Sequence, residues 1–113
     1  MQNPPTTIRI GAHDYDVEPL PEEEAQQNQQ YGDFSKWDET IRIRFNGSVW
    51  QIADTLIHEV LHALYYHYKI SKKTGEEKTV SCLSSGITQV IRDNDDWVLW
   101  LSELLYEDSS EDE

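Results

Sequence analysis

"SVWQIADTLIHEVLHALYYHYKI" spans residues 48–70, and its reading decides the fold. Trp50, Ile52, Ala53, Leu56, Ile57, Val60, Leu61 and Leu64 recur at helical spacing and lie almost all round the axis. Such a helix expects cover on two sides, by a sheet and by another helix. Ser48 and Gln51 stand as S-x-x-Q, a capping-box pattern that marks the start of about six turns. In the middle of this apolar run stand His58, Glu59 and His62. An unpaired buried charge is costly, so these three groups demand partners.

Residues four apart on a helix differ by about 40° and about 6 Å of rise. His58 and His62 therefore leave one face, and their nitrogens can converge on one ion. Glu59 is turned away by about 100°. It does not ligate with them but can lean beside an ion-bound water and take its proton. H-E-x-x-H divides labour in this way, into two zinc ligands and one general base. The bland alternative is a chance pattern of core or cleft histidines. Two imidazoles and a carboxylate in one apolar turn favour the metal, one Zn2+ per chain.

A catalytic zinc usually takes a third protein ligand. Tyr65 and Tyr68 occupy the Gly and His positions of H-E-x-x-H-x-x-G-x-x-H, which rules out that class. His67 falls on another side of the helix, as a surface or rim residue. His13 lies far off in the N-terminal region. A following helix that folds back antiparallel would bring its first turn towards His62, which makes Glu77 the expected third ligand and Glu76 its rival. Glu77 is preferred because Val80, Leu83 and Ile87 would anchor that helix on the core. Both glutamates are also ordinary first-turn carboxylates favoured by the helix dipole.

Outward from the helix the period changes. Residues 7–20 alternate apolar and polar positions around "GAHD", as one bent strand or a hairpin. Residues 21–30 form a surface helix or a loop. Residues 31–47 form a second hairpin, with its turn at "WDET" and with Ile41, Ile43 and Phe45 on one face of the return strand. Residues 77–93 and 95–106 give two more amphipathic helices. The expected fold is α+β: a small antiparallel sheet packed on the active-site helix, with two further C-terminal helices. Residues 1–106 form one domain, and 107–113 an acidic, disordered tail.

The chain has 113 residues, with 9 Lys+Arg against 22 Asp+Glu and a net charge of -13. That balance argues against direct nucleic-acid binding and against anionic membranes. Cys82 is the only cysteine, so zinc sites built on several cysteines are excluded and a reducing cytoplasm is expected. No basic segment followed by an apolar run suggests a signal peptide. No stretch reaches transmembrane length.

"TLIHEVLHAL", preceded by "TIRIRF" and followed by "EEKTVSCLSSGI", resembles the zincin metallopeptidases. Within them it is similar to the small ImmA/IrrE-type and SprT-like domains, especially the minimal versions common in bacteriophages. The resemblance implies a sheet on the active-site helix, a zinc ion and a third ligand on the next helix. In members with a glutamate ligand that residue begins E-x-x-A-[ND]; here the run is Glu77-Lys78-Thr79-Val80-Ser81. The resemblance also implies that the strand at 40–45 is a sheet edge, on which a peptide or protein substrate adds as another strand. Arg42 and Arg44 would otherwise simply protect that edge. Tyr31, Tyr65, Tyr66 and Tyr68 are the hydroxyls available to an oxyanion. The rival reading is a non-catalytic acidic binding protein, in the limit a DNA mimic. A structural zinc in a phage assembly protein is a weaker third.

Overall fold

The computed structural model describes residues 3–111, with side chains through residue 106. Its elements are β1 (Thr7–Ile10), β2 (His13–Pro19), α1 (Glu22–Asn28), β3 (Gly32–Ser35), β4 (Thr40–Ile43), α2 (Val49–His67), α3 (Glu76–Asp93) and α4 (Asp95–Glu111). The fold is α+β, a four-stranded sheet with four helices. Residues 107–111 of the expected tail continue the α4 backbone. Their side chains, and residues 112 and 113 altogether, lie outside the described residues.

β1 and β2 form a hairpin in which Ile10 faces His13 across the two-residue turn Gly11-Ala12. Gly11 sits at φ +63°, where a tight hairpin turn asks for glycine. A side chain there would also strike the His67 ring, 2.4 Å from a Cβ. β3 and β4 form the second hairpin.

The sheet is mixed, which corrects the antiparallel expectation. Its order is β1-β2-β4-β3, and β2 runs parallel to β4. The reason lies in burial and in the crossover. Ile41 and Ile43 of β4 are fully buried and belong in the middle, whereas every residue of β3 is half-buried and suits an edge. α1 carries the chain across, so that β4 enters beside β2 in the same direction. Two arginines tie α1 down. Arg44 donates to Glu22 at 2.7 and 2.8 Å, and Arg42 donates to Glu24 at 2.9 and 3.1 Å while also holding Asp33. Strand 40–45 is therefore interior, not the free edge expected for substrate. The edges are β1 and β3.

α2 starts where the capping box put it: the Ser48 hydroxyl accepts from the Gln51 amide at 3.1 Å. One side of α2 lies on Ile8, Ile10, Tyr15, Val17, Ile41 and Ile43 of the sheet, and Trp97, Trp100 and Leu104 of α4 complete the core. The cover is incomplete, since Trp50 and Ile57 remain exposed.

α3 sits differently from its expected register. Val80 and Ile87 are exposed at 54% and 41%, so they do not anchor it. Leu83 and Val90 touch the core, and buried Gly86 meets α2, where a Cβ would come 2.6 Å from Leu64 Cδ2. Side-chain amides then bind α3 to β1. Gln89 Oε1 accepts from the Gly11 amide at 2.7 Å. Buried Asn94 accepts from the Arg9 amide at 2.7 Å and donates to the Arg9 carbonyl at 2.8 Å. Among the described residues, no helix is long and apolar enough to cross a membrane.

Candidate metal centre

The two histidines stand together on α2. Their Nε2 atoms are 3.1 Å apart, with ring centroids at 4.7 Å and planes at 72°. Two nitrogens bound to a tetrahedral zinc at about 2.0–2.1 Å each would lie about 3.3 Å apart. The pair thus fits two corners of such a site.

Glu59 leaves α2 to one side of the pair, and with His58 it lines one cavity. It is 6% exposed and lies between α2 and the edge strand β3. Gly32 makes that approach feasible: a Cβ there would fall 2.6 Å from Thr55 Cγ2 and 3.4 Å from Glu59 Cγ. Burial raises the Glu59 carboxyl above the ordinary carboxylate range; His62 and His58 pull it back, and Asp33 adds to the rise. A buried carboxylate with a raised pKa is better matched to proton transfer near neutrality than an exposed one.

A cavity of about 190 Å3 opens beside His58, lined by Gln30, Tyr31 and Gly32 at the entry to β3 and by Asp54, Thr55, His58 and Glu59 of α2. Of the four candidate tyrosines, only Tyr31 lines it. Tyr65 and Tyr66 line a separate cleft, and Tyr68 lies against Gly86.

The structure does not bring Glu77 or Glu76 to the histidines. Both lie exposed in the first turn of α3. The α2–α3 crossing is at Gly86, nine residues on from Glu77, or about 13 Å of helical rise. From that crossing α3 runs on over β1, and its first turns extend away. Among the described residues, no three His, Cys, Asp or Glu side chains are grouped to hold an ion. His13 pairs with Glu39 at 2.6 Å, and His67 sits under the Gly11 turn; neither joins the pair.

Gly32 is the functional position that the sequence reading missed. Gly32 opens β3, and a glycine in a strand marks a site of close approach. Family models, curated proteins and solved structures yield no match to this chain.

Proposed function

We propose that this protein is a zinc-dependent peptidase of the cytoplasm, the compartment in which a single thiol such as Cys82 stays reduced. The 3.1 Å approach of His58 Nε2 to His62 Nε2, with Glu59 one residue away, carries the reading. His58 and His62 would hold the ion, leaving the remaining positions to water, substrate or a ligand from outside this set. Bound there, zinc would supply a Lewis acid for the scissile carbonyl and lower the pKa of water. Glu59 accepts the proton of the attacking water and passes it to the leaving nitrogen. Its burial under Gly32 keeps the carboxyl out of bulk solvent. Tyr31, lining the same cavity, donates to the developing oxyanion.

The substrate strand adds to β3 rather than to residues 40–45, because β3 has the free edge beside the cavity. Main-chain hydrogen bonds along that edge hold an extended peptide with its carbonyl at the histidines.

The test pairs Glu59→Gln with wild type and with His58→Ala. Wild type and Glu59→Gln should both retain zinc on elemental analysis, and His58→Ala should lose it. Cleavage of a peptide library should fall at least about a hundredfold in Glu59→Gln. Undiminished cleavage in Glu59→Gln, or no zinc uptake by wild type, overturns the proposal. One feature favours the rival, an acidic binding protein: Asp14, Asp16 and Glu18 form an exposed carboxylate row on β2. Zinc uptake without cleavage by any variant would support that reading.

A further inference from the structure

A second concavity lies one turn beyond the histidines. It measures about 670 Å3 and joins the end of the β3–β4 hairpin to the C-terminal end of α2. Its lining is unlike the rest of the chain. Lys36, Lys69, His13 and His67 gather there against a single carboxylate, Glu39. The whole chain has 9 Lys+Arg and 22 Asp+Glu, so a cleft with two lysines to one carboxylate inverts the general balance. Glu39 is itself engaged, 2.6 Å from His13 Nδ1.

The two lysines of the cleft also lack ionic partners among the described residues. Arg9, Arg42, Arg44 and Arg92 each pair with a carboxylate. Among the described residues, neither Lys36 nor Lys69 does. Lys36 Nζ instead stands 5.2 Å from both the Trp37 and the Tyr66 ring centroids, held over aromatic faces as a cation–π pair. Trp37 is 86% exposed. A helix C-terminus accounts for Lys69 through the dipole. It does not account for Lys36, which comes from the hairpin, nor for an exposed tryptophan beside it.

Position links this cleft to the histidines. Tyr66 follows His62 by four residues, about 6 Å along α2, and Lys36 and Trp37 directly follow Ser35, the last residue of β3. A peptide laid on the β3 edge passes the histidine pair and then reaches the cleft. At about 3.3 Å per residue, the cleft receives a side chain two or three residues from the bond at the histidines.

Resting on the peptidase reading above, we propose that the Lys36–Lys69 cleft is a specificity subsite for an acidic segment of the substrate. It takes Asp or Glu side chains about two or three residues from the cleaved bond, while Trp37 and Tyr66 pack against the neighbouring chain. Carboxylates gain charge-assisted hydrogen bonds there. Elsewhere the protein's own charge repels them.

The experiment measures binding without catalysis. Full-length Glu59→Gln, loaded with zinc, is titrated with labelled extended peptides that carry a pair of glutamates, and with the same peptides carrying glutamines. The glutamate peptides should bind at least about tenfold more tightly, the equivalent of one charge-assisted hydrogen bond. Adding Lys36→Gln and Lys69→Asn should bring the affinities of the two peptides to within about twofold of each other, with the melting temperature unchanged. Asn is chosen because Lys69 sits at φ +56°, which Asn tolerates. Equal affinity for both peptides, or a preference that survives loss of both lysines, overturns the subsite. Cleavage by wild type is scored separately. A lysine-dependent preference with no cleavage keeps the acidic-peptide cleft and removes the peptidase.

Discussion

α2 and α3 are nearly equal in length, 19 and 18 residues, and both carry apolar residues at helical spacing. They are held in place by different means. α2 is fixed by volume: Ile52, Leu56, Val60 and Leu64 fill the space between the sheet and α4. α3 leaves Val80, Ile87 and Ile91 largely in solvent and meets α2 through a glycine. The amides of Gln89 and Asn94 do the rest, on the backbone of β1. Apolar periodicity therefore identifies both helices, but it locates the buried face only where burial supplies most of the binding energy. Where a glycine and polar side chains dock a helix, the apolar stripe misreports its rotation.

The contrast is sharpest where the two helices touch. Leu64→Ala should cost about 3 kcal/mol in chemical denaturation, within the range for emptying a fully buried leucine site. Gly86→Val should cost about 2 kcal/mol by overpacking the same contact from the α3 side. The double variant should cost less than the sum, because valine occupies the space that Leu64 leaves. Strict additivity would mean that the two helices do not meet there.

α1 extends the comparison to a helix held by charge. Hydrogen bonds from Arg44 hold the Glu22 carboxyl at about 2, below its ordinary 4.5. A lowered pKa gives stability that is fully present above the unfolded value and is lost as pH falls through the folded one. Wild type should therefore melt slightly above Glu22→Gln at neutral pH, with the gap closing between pH 4.5 and about 2. A gap independent of pH would show that packing, not the ion pair, docks α1. The group is exposed enough that the gap is small.

The smallest effect belongs to Glu77. Removing a residue that merely orients a metal ligand costs about 10–100-fold in affinity. Glu77→Ala should leave zinc affinity equal to wild type, read by competition with a chelator. A loss in Glu77→Ala and not in Glu76→Ala would bring α3 back to the metal.

The second hairpin, the start of α2 and the approach of His58 to His62 were legible, because each rests on local chemistry: turn residues, a capping serine, a four-residue spacing; at residues 7–20 a bent strand and a hairpin stayed equally open. Strand order was not. Nothing local to Ile41 and Ile43 says that β2 will be their parallel neighbour. That pairing depends on α1 and on arginine–glutamate ties across about twenty residues. The expected placement of Glu77 has the same origin, since it assumed that Val80, which is exposed, would face the core. The basic cleft was not legible because its members, His13, Lys36 and Lys69, come from three separate stretches of the chain.

β3 joins the sheet only through β4, is four residues long and has no fully buried side chain. Elements with so few buried contacts open at the lowest free-energy cost, so their amides exchange with solvent before those of the core strands. The rail on which a substrate would lie is thus the part of the sheet most ready to detach. An added strand supplies β3 with its missing neighbour, and a ligand that binds only the closed form stabilises it by mass action. Slowed amide exchange across Gly32–Ser35 would report occupancy of that edge even when no bond is cut.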